Sequence, residues 1–552
     1  MNSIKFKFSY SIGSDIKTLE FKDSIENQDF KAFVFKENKV VSLKIVTERC
    51  LKIQELRMIK DFQFAPDSRL FLNGYQSWTD SRELTVSDKM RGINFIPKFI
   101  VDRFSLNKYG DYDFKEYQNK IGILHGFSYA YVRNHSELDF VGSLTERNGY
   151  TIINFDIINS KIIIEKDCKG LEIDKEYTPF EIAFLKGSEK TVFDEYFSLM
   201  NIEKPKVQPK TGYTSWYNHY QNINEKKILD NLEAVYSFED KLDIFQIDDG
   251  YQTAVGDWLL TDKTKFPNGM KEIADKISEK DLIPGLWLAP FSCENRSELF
   301  KKHPDWVLND EKGDYVKAGS NWSGFYTLDI YNENVREYIR NVFDTILNDW
   351  GYGLVKLDFL YSVCLIPQHN KTRGQVMCEA MDFLRECVGD KLILGCGVPL
   401  APAFGKVDFC RIGADVSLDW DDKLYMKLIH RERVSTKSAV RNSIYRRHLN
   451  GRAFLNDPDV FLLRDDNIKM SNSQKRTLSF VNGLFGCLLF TSDNVSKYNE
   501  SHKELFVNTL ELQGATDIVV TDNNNCIIIE YSLFQIRHKV KIDIINGKMK
   551  EI

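Results

Sequence analysis

The sequence predicts a multidomain protein: an N-terminal β-sandwich, a central (β/α)8 TIM barrel and a small C-terminal antiparallel β-sheet domain. Three observations predict it. At 552 residues the chain exceeds one ordinary domain. Up to about residue 200, short runs alternate apolar and polar side chains between Asn, Asp and Gly turns. Beyond that point eight apolar strand-like runs alternate with helix-like stretches, and eight in about 300 residues favours a closed barrel over an open sheet.

In chain order, the N-terminal run from Met1 to Tyr10 alternates like a strand and has no continuous apolar signal-peptide core. Phe30–Phe35, Tyr150–Phe155 and Lys161–Glu165 repeat the alternation. Phe71-Leu-Asn-Gly-Tyr-Gln-Ser-Trp78 departs from it, placing Gln and Trp after a Gly turn; without further context Trp78 reads as a core residue. Two prolines among lysines in Lys204–Lys210 mark a linker. Candidate barrel strands follow at 211–216, 242–248, 282–288, 353–358, 391–396, 407–412, 452–456 and 487–491. Helical spacing is plain in 224–236 and 334–347. From about 514 the pattern returns to β, with strands at 526–531 and 540–545. The expected domains are therefore 1–203, 204–513 and 514–552.

The composition is that of an ordinary soluble protein. It is 43% hydrophobic and 28% charged, with a net charge of -6, so nothing recruits nucleic acid or an acidic membrane. No window approaches a membrane span. Ten cysteines without a CxxC pair suit reduced thiols, and the expected location is the cytoplasm.

Barrel chemistry lies at the C-terminal strand ends. These carry Ser215-Trp216-Tyr217, Asp248-Asp249-Gly250, Trp287, Lys356 with Asp358, Cys396-Gly397, Arg411 with Asp415, and Asn456-Asp457-Pro458-Asp459. Lys356 and Asp358 are two apart in a strand and so share one face; alone, the pair fits an ionised nucleophile and a plain internal ion pair equally. Each Asp could instead cap a helix. A zinc-type centre is disfavoured, because of nine histidines only His219 lies near a strand end and no HxH or HExxH occurs; His219 reads as a local hydrogen bonder. An all-carboxylate Mg²⁺ or Ca²⁺ site stays open, with tryptophans and cations as poor company for it. There is no P-loop and no GxGxxG.

Two carboxylates with tryptophans to stack on sugar rings is what a glycosidase needs. Asp358 would be the nucleophile, kept ionised by Lys356. Asp415 would be the general acid and then base, with a pKa high enough to hold a proton near neutral pH. Arg411 would lower that pKa if it faced Asp415, so it is expected to face the sugar instead. Asp248 and Asp249 would accept hydrogen bonds from sugar hydroxyls. Asp419 is a further carboxylate that competes for the acid/base role.

Phe245-Gln-Ile-Asp-Asp-Gly-Tyr251, Pro284-Gly-Leu-Trp-Leu-Ala-Pro290, Lys356-Leu-Asp358, Leu394-Gly-Cys-Gly397 and Arg411-Ile-Gly-Ala-Asp415 together resemble the α-galactosidases of glycoside hydrolase family 36. Asn73-Gly-Tyr-Gln-Ser-Trp78 extends the resemblance into the N-terminal domain. It implies an N-terminal β-supersandwich and a retaining mechanism with no metal and no cofactor. By resemblance, Asp358 is the nucleophile and Asp415 the acid/base. Asp248 and Asp249 would hold the 4- and 6-hydroxyls, Lys356 and Arg411 would bind ring hydroxyls, and Cys396 and Gly397 would sit near the 2-position. Trp216 and Trp287 would shape the pocket beside Tyr217, and Trp78 would cover its mouth, in cis or from a neighbouring subunit. The implied partner is an oligosaccharide with terminal α-galactose, for a monomer or homo-oligomer. α-N-Acetylgalactosaminidases and galactosyl transglycosylases share the catalytic pair, and a non-catalytic sugar binder on the same scaffold is the remaining alternative. The connection from Ser292 to Phe325, with His303-Pro-Asp-Trp306, is expected to border the outer subsites.

Overall fold

The structure, a computed structural model, describes residues 4–238, 242–421, 430–523 and 525–552. The N-terminal alternation becomes two antiparallel sheets packed face to face. One is ordered 15–21, 4–12, 51–61, 161–166, 151–156, 123–127, with 172–173 pairing beside 51–61. The other runs 25–26, 31–37, 40–46, 176–188, 137–143, 129–134, 69–72, 83–85. Period two puts Phe6, Phe8 and Tyr10 of the first and Val41, Leu43 and Ile45 of the second into one core. Phe6 meets Phe180 across it with ring centroids 6.2 Å apart.

The strand 176–188 feeds helix Glu189–Leu199, whose N-terminus is capped by the Ser188 hydroxyl accepting from Thr191 N. Phe193 of that helix stacks on His448 at 3.9 Å, which ties the N-terminal part to the central one. Residues 201–209 form neither helix nor strand and lead into the central sheet.

That sheet has nine parallel strands, ordered 455–457, 409–411, 392–395, 354–357, 283–288, 244–247, 210–214, 488–491, 460–461. Its two terminal strands are consecutive pieces of chain separated by Pro458 and Asp459 alone. Proline has no N–H for the ladder, and Asp459 sits at φ 75, so the run breaks and its halves pair with opposite neighbours. The sheet therefore curls back on itself as a TIM-barrel core. Each of the eight expected strands has its counterpart.

The crossover helices bury one stripe each. In Glu225–Tyr236, Ile228, Leu232 and Val235 are buried while Asn224 caps the N-terminus. Helix Glu333–Asp344 continues into a π-helical turn at Thr345–Asp349, so the expected 334–347 spans both. An insertion after strand 283–288 forms a three-stranded sheet, 292–294, 325–327 and 317–319, which carries residues 320–322 to the rim. At the C-terminus four antiparallel strands, 516–522, 526–533, 536–543 and 548–551, bind the core through Trp420 Nε1 donating to Ile544 O and Thr477 Oγ1 to Gly547 O. Among the described residues, no helix is long and apolar enough to cross a membrane.

Candidate active site

A cavity of about 790 Å³ opens at the C-terminal ends of the parallel strands. Trp78, Trp216, Asp248, Asp249, Trp287, Lys356, Asp358 and Asp415 line it together. Tyr217, Arg411, Cys396, Gly397 and Asp419 do not line it.

Asp358 is held as an acceptor. Its backbone N–H still bonds to Leu288 O at 2.8 Å, so the carboxylate leaves the strand end in a fixed direction. Oδ2 accepts from Trp287 Nε1 at 3.1 Å, and Oδ1 from the N–H of Phe359, a residue turned into the left-handed region at φ 53. Lys356, two residues earlier, shares the cavity as the strand period requires. Its ammonium, however, bonds to Asp248 Oδ2 at 2.8 Å, not to Asp358. Lys356 is expected to keep Asp358 ionised; its direct ion-pair partner is instead Asp248, which projects from a nearby strand end into its reach, and its attraction to Asp358 acts through space. Burial works against the lysine's charge, but Asp248 and then Asp358 outweigh it and hold the ammonium charged beyond its usual range.

Asp248 also accepts from Gln246 Nε2 and from Asp249 N, both at 2.9 Å. Asp249 takes three side-chain donors: Gln221 Nε2 at 2.7 Å, Trp322 Nε1 at 2.8 Å and Gln252 Nε2 at 2.6 Å. Gly250 makes this possible. At φ 124, with a Cβ that would stand 2.9 Å from Gln221 Cα, it lets the Gln221 backbone close over the turn. Burial still raises the Asp249 pKa, opposed first by the Trp322 hydrogen bond.

Arg411 reverses an expectation. Its guanidinium bonds Asp415 Oδ1 through Nη1 at 2.7 Å, Asp457 through Nε at 2.9 Å and Asp459 through Nη2 at 2.9 Å. The broken strand at Pro458 brings both Asp457 and Asp459 beneath the arginine, whose planar fork is then filled. It therefore faces Asp415 and buried carboxylates, not the cavity. Asp415 nevertheless has a raised pKa, because burial dominates and the opposing pull of Arg411 and Lys356 is shared among neighbouring carboxylates. Asp459 is pushed up to about 7, again by burial, and accepts from the Tyr217 hydroxyl and Val416 N. Tyr217 thus supports the strand 455–461 break and does not face the cavity.

Trp78 reaches the cavity from the same chain, and Arg446 seats its loop. The buried Arg446 guanidinium donates to Asn73 Oδ1, Gln76 O and Ser77 O. Trp78 Nε1 donates to Cys396 Sγ at 3.4 Å, and a Cβ on Gly397 (φ 55) would stand 2.9 Å from the Trp78 ring. Cys396 and Gly397 thus lie behind the indole. Asp419 lies off the cavity, its Oδ1 accepting from Asp421 N. His219 Nε2 lies 3.1 Å from Asn231 Nδ2, a local hydrogen bond as read.

Sequence reasoning missed Trp322, Gln221, Gln252 and a wall from Phe95 to Leu106. The Ser292–Phe325 connection does border the cavity, through Ser320, Asn321 and Trp322. Its His303-Pro-Asp-Trp306 motif does not; His303 stacks on Trp306 at 4.0 Å away from the lining. No local signal distinguishes Trp322 from Trp306.

Residues 207–383 match the Melibiase family model. The chain is 29% identical over 151 residues to α-galactosidase AgaA of Geobacillus stearothermophilus, covering 26% of this chain and 20% of that protein. It is 25% identical over 258 residues to α-galactosidase Mel36A of Lactobacillus acidophilus, covering 45% and 33%. The matched stretches thus span a fifth to a third of those relatives' lengths. Across nearly the whole chain it is similar to the solved α-galactosidase TtGalA of Thermus thermophilus, in complex with p-nitrophenyl α-D-galactopyranoside: TM-score 0.72, 25% identity, 94% of this chain and 98% of that one. Strand-end motifs, barrel core and whole-length structural match agree in their likeness to the solved α-galactosidases, among them those of glycoside hydrolase family 36.

Proposed function

We propose that this protein is a retaining exo-α-galactosidase that removes terminal α-linked galactose from oligosaccharides of the melibiose and raffinose type. One observation carries the reading: two carboxylates face one cavity in unlike states, Asp358 fixed as an acceptor by two N–H donors and Asp415 raised in pKa by burial. In the first step an Asp358 oxygen bonds the anomeric carbon as the glycosidic C–O bond breaks, and the Asp415 proton passes to the departing oxygen. In the second, Asp415 takes a proton from water whose oxygen attacks the anomeric carbon and releases Asp358. Two inversions leave the α configuration. Asp248 and Asp249 bind hydroxyls of the sugar, Trp216 and Trp287 form its walls, and Trp78 covers the mouth in cis.

The same reading takes the fold as an N-terminal β-supersandwich (1–203), a full (β/α)8 barrel (204–513) and a C-terminal sheet domain (514–552). It needs no metal or cofactor and places the enzyme in the cytoplasm. The test is hydrolysis of an aryl α-galactoside by wild type and Asp358→Gly, with and without azide. Turnover abolished by the substitution and restored by azide, with β-galactosyl azide as product, is expected. Undiminished turnover by folded Asp358→Gly would end the proposal.

A further inference from the structure

Asp249 and its donor Trp322 stand on separate pieces of chain, and a residue outside the cavity joins the two. Trp322 lies on the turn between strands 317–319 and 325–327, while Asp249 begins the loop that follows strand 244–247. Trp322 is held at φ 55, the left-handed region that an L side chain rarely adopts. Such a turn keeps its shape when outside contacts over-determine it. Asn295 Nδ2, donating to Ser323 O at 2.6 Å, is one of these contacts.

Glu294 supplies the others. It ends strand 292–294, is fully buried and does not line the cavity. Its Oε1 accepts from Ser323 Oγ at 2.7 Å and Ser323 N at 3.1 Å, on the residue after Trp322. Its Oε2 accepts from Val255 N at 3.2 Å, in the loop that Asp249 begins, and its own N–H donates to Val255 O at 2.9 Å. Arg296 Nε, 2.7 Å from Oε1, brings the opposite charge. A buried carboxylate is costly unless it is paired and hydrogen-bonded, and two of its donor segments are the ones that carry Trp322 and Asp249. The carboxylate and the two segments therefore fix one another.

Resting on the galactosidase reading, we propose that Glu294 is a positioning residue for sugar recognition: it ties the turn bearing Trp322 to the loop bearing Asp249, and so keeps the indole N–H on the carboxylate that receives a sugar hydroxyl. The sign of its effect follows. Burial raises the Asp249 pKa, and the Trp322 hydrogen bond is the first influence against that rise. Loosening the turn weakens this bond, so Asp249 takes up its proton at higher pH. The other titratable groups around Asp249 stay in place: Asp248 and its partner Lys356, Lys265 on the Gly250 carbonyl, Tyr251, and Asp358 across the cavity.

The test is kcat/KM against pH for an aryl α-galactoside with wild type, Glu294→Gln, Trp322→Phe and the double variant. Glutamine keeps the shape but has one acceptor oxygen, so either Ser323 or Val255 loses its partner. In Glu294→Gln the acid limb should rise by about half a pH unit or more, with a loss of roughly threefold or more below it and convergence with wild type above it. In the double variant the loss should stay within about twofold of Trp322→Phe alone, because the bond through which Glu294 acts is already gone. Ser323→Ala removes one donor from the same carboxylate and takes the place of Glu294→Gln in both comparisons if that variant does not fold. An unmoved acid limb, or losses that multiply in the double variant, would overturn the inference and leave the galactosidase reading intact. Wild type inert on the galactoside would remove both.

Discussion

Trp322→Phe isolates one hydrogen bond at Asp249. The substitution deletes the indole N–H that donates to Asp249 Oδ2 at 2.8 Å and keeps an aromatic ring beside Trp287 and Phe359. Asp249 is 3% exposed and keeps two donors, Gln221 and Gln252. A hydrogen bond to a charged group contributes about 1.5–3 kcal/mol. With about 1.36 kcal/mol per pKa unit, its loss favours the neutral acid by roughly one to two units. The sign is fixed: burial already raises this pKa, the Trp322 hydrogen bond is the strongest influence lowering it, and removal raises it further. If sugar binding needs the carboxylate, the acid limb of kcat/KM moves up by about one to two pH units. Below that limb the variant should be roughly 10- to 100-fold slower, and well above it the two should converge. The assay is a pH profile of aryl α-galactoside hydrolysis. A uniform loss at every pH, or an unmoved limb, would refute the assignment of Asp249 as a carboxylate that must be ionised.

Arg411→Lys keeps one positive charge but loses the three-way fork, so Asp415 should hold its proton to higher pH. The basic limb of kcat/KM is expected to rise by about one unit, and a fall would contradict the account of how Arg411 opposes burial. Gly397→Ala meets both a left-handed backbone and the Trp78 ring 2.9 Å away. It should cost about 1–2 kcal/mol from the backbone alone, read as a lower denaturation midpoint, with altered tryptophan fluorescence; unchanged values of both would show that Gly397 does not seat Trp78.

Much of the cavity was legible because it depends on strand periodicity and on the rule that barrel chemistry gathers at strand C-termini. Asp248, Asp249, Trp216, Trp287, Lys356, Asp358 and Asp415 each follow an apolar run, and each lines the cavity. Trp78 was legible only through its motif, since its alternation suits a core residue as well. Ion-pair partners were not legible. Lys356 reaches Asp248 across the intervening strand 283–288, and Arg411 reaches Asp457 and Asp459 because strands 409–411 and 455–457, far apart in sequence, stand side by side.

The sequence by itself determined the order of the β, alternating and β segments, the eight strand positions and the carboxylates at their ends, because burial periodicity and strand-end position are local properties of a chain. Tertiary structure alone decided which cation meets which carboxylate, that Asp459 is pushed to about 7 and Asp415 upward, and that Trp322 and the Phe95–Leu106 wall join the cavity. Desolvation and Coulomb interaction depend on what surrounds a group in space, and around this cavity those surroundings come from several barrel strands and from the N-terminal part of the chain.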